Sequence, residues 1–157
     1  MVMASQDIMI LENQLTPLEC MQMIQQAGEQ WVVLVSKEDT WKTWDERLFK
    51  VFGDAIGMYQ KHIGHALGVA NDNGYMLVRR NRTNGTVAAF ATEAPVSMVL
   101  FLNGDVAGGE WVFTRQKQEI QPECGRLVVF PGFYTHPRGI GNVRLGEARF
   151  IMTHFKS

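Results

Sequence analysis

Cysteine is scarce in this chain: Cys20 and Cys124 are the only two in 157 residues. So few thiols exclude a disulfide-dense scaffold, and their separation matches no zinc-binding spacing. They form either a structural disulfide or two buried free thiols; we read free thiols, which suit a reducing cytosol. Neither sign of charge is in excess. Fifteen Lys and Arg against sixteen Asp and Glu leave a net charge of −1. That balance gives no global pull toward nucleic acid or an anionic membrane. No apolar run reaches the roughly 20 residues that span a bilayer. The opening stretch, MVMASQDIMILENQL, lacks a basic start and has only a short apolar run, so we expect no signal peptide. There is no G-x-S-x-G elbow and no G-x-x-x-x-G-K-[ST] loop. No repeat, low-complexity segment or linker divides the chain. What these absences leave is one globular domain, long enough to bury roughly two-thirds of its unfolded surface.

What is present is a beat of short strands. Residues 96–113, VSMVLFLNGDVAGGEWVF, read as a buried strand, a polar turn and a second strand. Asn103, Gly104 and Asp105 stop the first strand, because Asn and Gly tolerate positive φ and Asp bonds its own backbone. Gly108 and Gly109 let the backbone pass close to a neighbour. Further strands are expected at 118–121, 126–130 and 149–155, separated by turns at 122–125 and 131–132. Short strands at about ten-residue spacing indicate an all-β barrel or sandwich.

The first half reads differently. Residues 7–11 form a short strand candidate. Thr16, Pro17 and Glu19 make a capping box that opens a helix running to about Ala27, with Leu18, Met21 and Ile24 on its apolar face and Gly28 as the stop. Residues 30–36, QWVVLVS, form a strand. A polar loop with Trp41 follows. From about 44 to 70 lies the longest helical pattern, carrying Leu48, Val51, Phe52, Ala55, Ile56, Tyr59 and Ile63. Its glycines, Gly53, Gly57, Gly64 and Gly68, suggest close packing or a break near Gly64. Residues 75–80 and 86–92 are strands around a polar turn at 81–85. Arg79 and Arg80 cannot share a strand face. Trp31, Trp41, Trp44 and Trp111 read as core or interface anchors.

Several of these pieces together resemble a known family. LFLN at 100–103, GGE at 108–110, QPECGRLVVFPG at 121–132, then His136 and Gly146-x-x-Arg149-Phe150, are similar to the C-terminal half of the prolyl 4-hydroxylase-like 2-oxoglutarate/Fe(II) oxygenases. The resemblance covers about residues 75–155. It implies a mainly β (α+β) fold: a double-stranded β-helix, or jelly-roll, barrel with N-terminal helices packed on one sheet. We expect a helical part over about 1–74 and a barrel core over about 75–155.

The resemblance also implies where iron should bind. The family holds Fe(II) with two His and one carboxylate, the first two as H-x-D on the strand before the LFLN-type strand. One count places that pair on Ala88 and Phe90, another on Ala89 and Ala91. Both fall in VAAFA, which has no His, Asp or Glu. The third ligand would be His136, the only family ligand left, and one imidazole is insufficient to retain Fe(II). Arg149 matches the residue that pairs with the distal carboxylate of 2-oxoglutarate; otherwise it bridges Glu110 or Glu147. Phe101 stands where many relatives carry a cosubstrate-binding Tyr. His62 and His65 have a possible ligand spacing, but on a segment expected to pack outside the barrel.

These readings lead to a metal-less, non-catalytic relative acting as a structural or interaction module, in a phage virion or assembly setting. No catalytic residue and no cofactor are assigned. The expected partner is a protein or another copy of this chain, with no nucleic acid or membrane, and the expected location is the cytoplasm of the cell or host, or a virion. The alternative is an active 2-oxoglutarate/Fe(II) dioxygenase with unforeseen metal ligands.

Overall fold

The computed structural model describes residues 7–69 and 71–156. The sequence reading of the first six residues therefore lies outside the described residues. Among those described, the chain forms two α-helices and thirteen strands. In order these are β1 (Met9–Leu11), α1 (Pro17–Ala27), β2 (Val32–Leu34), α2 (Lys42–Ile63), β3 (Asn71–Asp72), β4 (Met76–Arg80) and β5 (Val87–Phe90). Then come β6 (Val96–Phe101), β7 (Ala107–Gly108), β8 (Trp111–Phe113), β9 (Gln118–Ile120), β10 (Leu127–Phe130), β11 (Arg138–Ile140), β12 (Val143–Leu145) and β13 (Ala148–Lys156).

The large sheet runs β1-β10-β6-β13-β4-β2, with β3 also paired to β13. The small sheet runs β5-β11-β8-β9, and β7 pairs with β12 apart from both. Every pairing is antiparallel. This is the expected double-stranded β-helix arrangement. The central strand β6 is buried at all six positions, which accounts for an apolar run interrupted only by Ser97.

Strand alternation divides the large sheet into two faces. Met98 and Leu100 of β6 and Ile151 of β13 join Met23, Leu48, Phe52 and Tyr59 in a core beneath the helices. Val99 and Phe101 of β6 and Phe150 of β13 join Trp111, Phe113 and Phe130 in a second core between the sheets. The helices thus cover one face of the sheet, and the barrel interior lies on the other.

The α1 capping box is as expected. Thr16 Oγ1 accepts from Glu19 N–H at 3.1 Å, and Glu19 Oε1 accepts from Thr16 N–H at 3.0 Å. The buried face differs from the expectation: it is Cys20, Met23 and Ala27, while Leu18 and Met21 are exposed. Both stripes have helical spacing, and Ile24 of the expected one is partly buried against the same core. Arg47 of α2 bonds Glu19 at 2.7 Å and so ties the two helices together. The guanidinium bond holds the Glu19 carboxyl below its ordinary pKa.

The long helix stops at Gly64, whose φ of 85° is left-handed, rather than continuing toward residue 70. Gly53 and Gly57 face open space, so they mark no close packing. Trp41 is buried in the core, as the anchor reading expected, at the end of a short 3-10 turn where a polar loop was expected. Cys20 and Cys124 are both free thiols. They lie against each other, and burial together with the Cys124 thiol pushes Cys20 up to about 12.

Candidate functional site

The mouth of the barrel is built where β5 meets β11. Strand β5 leads directly into β6, as the sequence reading placed it. Its inward residues pack on Arg138 and the aromatic core, and Ala88 and Ala89 are exposed. In the register of the pair, Phe90 lies opposite Arg138 and Val87 opposite Ile140, with an irregularity between them. Arg138 is 1% exposed. Its guanidinium carbon sits 4.8 Å from the Phe90 ring centre and 5.0 Å from that of Phe130. Two π faces thus cover the charge.

Backbone oxygens complete its surroundings. Arg138 Nη1 donates to Gly132 O at 2.7 Å and to His136 O at 3.3 Å. The Gly132 carbonyl also accepts from the Thr92 N–H at 2.8 Å and the Thr92 hydroxyl at 3.1 Å. Residue 132 must be glycine, because a Cβ there would press on Ala94 O, Ser97 Oγ and Thr92 Oγ1. Arg138 Nε is buried with no partner, and burial lowers the side chain to about pKa 10, leaving it charged at neutral pH.

Phe90, Thr92 and Arg138 therefore converge on one spot. The first two are spaced i, i+2 and the third comes from the adjacent strand. The sequence reading put this spot on Ala88 and Phe90, or on Ala89 and Ala91, together with His136. Of those residues, Phe90 lies against Arg138, and His136 reaches Arg138 through its backbone carbonyl. His136 belongs to the preceding turn, where its N–H donates to Phe133 O. Its ring is 4% exposed, with Nδ1 2.9 Å from Thr135 Oγ1 and Nε2 3.6 Å from Asp7 Oδ2.

Arg149 is also turned away from the expected task. It has the strand parity of Ile151 and so faces the helices. Its Nη1 donates to Ile24 O of α1 at 3.0 Å and its Nη2 lies 3.5 Å from Glu147. The inward neighbour is Ala148, paired across to Arg80. Arg80 bonds Gly85 O at 2.9 Å, and burial pulls its pKa below the usual arginine value. Arg79, on the opposite face, pairs with Glu147 and stacks over Trp31.

The rest of the interior is occupied by aromatic side chains. Trp111 meets Phe150 edge-on at 5.5 Å, Phe113 meets Phe130 at 4.9 Å, and Phe101 meets Phe150 at 6.4 Å. A ring, a hydroxyl already donating to a carbonyl, and a permanently charged guanidinium offer no donor set for Fe(II). Among the described residues no three His, Cys, Asp or Glu side chains come together as a metal site. Nor does the packed interior present an inward arginine at position 149 for a 2-oxoglutarate carboxylate. The residues present do not fit the family's iron and cosubstrate.

Three histidines lie elsewhere. His62 stacks near Tyr59 at the end of α2, and His65 lies beyond the helix, so the pair does not share one helical face. His154 Nδ1 lies 2.6 Å from Ser97 Oγ across the β6–β13 pair. That contact resembles a nucleophile and its base, but Ser97 is 1% exposed and out of reach of any substrate.

Burial lowers the pKa of both His136 and His154, with Arg138 adding to the effect in each. Both are then neutral in the folded chain at pH values where the unfolded chain takes up protons. Stability is full above the unfolded value of about 6.5 and is lost as pH falls below it, by up to about 1.4 kcal/mol per pH unit per group. We expect a flat urea midpoint from pH 8 to 7 and a falling one from about 6.5 to 5. His154→Asn should flatten part of that fall. A midpoint unchanged across this range would show that neither imidazole is held neutral.

No protein-family model matches the chain. Prolyl 3-hydroxylase 1 of Gallus gallus is 41% identical over 64 residues, and its Homo sapiens counterpart is 39% identical over the same length. The match takes in 38% of this chain but only 9% of either relative. Solved structures match over nearly the whole chain. The viral collagen prolyl hydroxylase of Paramecium bursaria Chlorella virus-1, in a 2OG complex, superposes with a TM-score of 0.76 and 13% identity, covering 100% of this chain and 99% of that one. A prolyl-4-hydroxylase of Pseudomonas putida gives a TM-score of 0.66 at 14% identity, over 97% of this chain and 93% of that one. The chain has the fold of the prolyl hydroxylases and resembles the prolyl 4-hydroxylase-like 2-oxoglutarate/Fe(II) oxygenases.

Proposed function

We propose that this chain is a metal-free, non-catalytic relative of the prolyl hydroxylases that serves as a structural or interaction module. The observation that carries the reading is the buried, charged Arg138 at the barrel mouth, lying against Phe90 and bonded to the carbonyl that Thr92 shares. A hydroxylase needs open coordination positions there for cosubstrate and oxygen. A binding or architectural role needs only the barrel.

The outer surface supports the interaction half of the proposal. Strand β2 forms one end of the large sheet, and its Val32 and Leu34 are exposed beside Trp31 and Met76. Uncovered apolar residues on an edge strand are a feature that monomers usually avoid. Among the described residues no helix is long and apolar enough to cross a membrane. We place the module in a phage virion or assembly, a setting drawn from family analogy.

Metal analysis of the purified protein, joined to anaerobic loading with Fe(II) and 2-oxoglutarate, tests the proposal. We expect no bound iron, no charge-transfer band and no succinate on admitting oxygen. Stoichiometric iron with succinate release would instead establish the active dioxygenase, the reading that the prolyl 3-hydroxylase match favours. Light scattering gives the second readout: a defined oligomer supports the structural role, and a strict monomer restricts it to a heterologous protein partner.

A further inference from the structure

We propose that Arg138 is the barrel's resident cation, standing where a metal ligated from positions 90, 92 and 138 would stand and closing that point to divalent ions. The inference rests on the metal-free reading and adds to it a named occupant. A facial ligand set needs three side chains brought to one point with the remaining positions open. Here the three that meet are Phe90 at the end of β5, Thr92 two residues beyond it and, opposite Phe90 in the register, Arg138. Hydrogen bonds show that they reach a common point, since the Thr92 hydroxyl and Arg138 Nη1 donate to the same Gly132 oxygen.

The charge at that point is kept by unusual means. Arg138 makes no ion pair with any described carboxylate. A buried charge without a counter-ion is costly unless something replaces its hydration. The replacements are the faces of Phe90 and Phe130 and the carbonyls of Gly132 and His136. Ring faces and carbonyl dipoles favour any cation, so the pocket's electrostatics suit positive charge in general. The carbonyl lone pairs are already engaged by the Arg138 guanidinium and the Thr92 hydroxyl and amide. A divalent ion entering beside the guanidinium would meet like charge at low dielectric and would have to displace those donors.

The test is to rebuild the ligands with and without the arginine. Co(II) is the probe, read by its visible absorption, and far-UV circular dichroism reports folding. The double variant Phe90→His/Thr92→Asp keeps Arg138; the triple variant adds Arg138→Gln, which removes the charge without supplying an imidazole. We expect the triple variant to bind Co(II) roughly 100-fold more tightly than the double, the scale on which a single altered neighbour changes metal affinity. Affinities within a few-fold of each other would overturn the proposal, as would a folded triple variant that takes up no Co(II). Should these variants not fold, Arg138→Ala supplies the reading. Millimolar ethylguanidinium should raise its melting temperature, and equimolar N-ethylurea, neutral and of similar shape, should not. Equal rescue by both would mean that the site selects shape rather than charge, and would overturn the proposal. Stoichiometric Co(II) binding by the unaltered chain would remove the metal-free reading and this inference with it, whereas tight binding by the double variant removes the inference alone.

Discussion

Phe130→Ala is expected to lower stability by about 3–5 kcal/mol, the range for emptying a large aromatic position in a closed core. Phe130 is 1% exposed and touches three kinds of neighbour at once. Its ring centre lies 4.9 Å from that of Phe113, 6.2 Å from that of Trp111 and 5.0 Å from the Arg138 guanidinium carbon. The substitution therefore removes apolar burial, two aromatic contacts and half of the π cover over a buried charge. Urea unfolding followed by tryptophan fluorescence measures the loss, and thermal unfolding should show a melting point about 6–20 °C lower. The result bears on function as well as on stability. In an open catalytic vestibule the same truncation would face water and cost little. A loss below about 1 kcal/mol would mean that the space between the sheets is hollow and that a ligand still has room there.

Gly108→Ala is the second large effect. Gly108 has a φ of 84° and lies at the β7–β12 contact, opposite Val143. A Cβ there would run into the carbonyl oxygen of Asn142. Because the obstacle is backbone, no side-chain rotation relieves it, and the strand pair must separate. Left-handed strain alone costs about 1–3 kcal/mol, and overpacking adds a similar amount, so we expect about 3 kcal/mol or more. Gly53→Ala is the control: nothing lies within 4 Å of its added Cβ. In the middle of α2 it should stabilise by roughly 0.5–1 kcal/mol. Denaturant midpoints for the two variants should move in opposite directions. Hydrogen exchange at the Gly109 amide, which donates to Asn142 O at 3.3 Å, should speed up only in the first.

Local chemistry made much of the fold legible. The capping box fixes the start of α1 to the residue, and a seven-residue stretch that is apolar except for Ser97 announces β6. Both signals are contained within a few neighbouring residues. Strands β11 and β12 were not foreseen, because Arg138-Gly139-Ile140 and Val143-Arg144-Leu145 are too short and too polar to alternate visibly. The buried stripe of α1 was misassigned because the helix has apolar residues on two sides. Only the sheet decides which side is covered.

The site divides in the same way. The missing imidazole and carboxylate in VAAFA can be read directly from the letters. Which residues converge cannot, since that depends on the β5–β11 register and its irregularity. Arg149 illustrates the point. The family resemblance implied an inward task for it, but a one-residue step along a strand reverses direction, and Ala148 is the residue that faces in. Arg138 gave no warning at all. A basic residue after a proline reads as surface, and only the tertiary structure shows Phe90 and Phe130 around it.

The thiol pair under α1 gives this chain an internal clock for its own opening. Cys124 is partly accessible, whereas Cys20 is 1% exposed and poorly ionised. An alkylating reagent should therefore label one sulfur promptly and the other only during moments when the first helix lifts from the sheet. The delay between the first and second mass increments would time that excursion without any introduced probe.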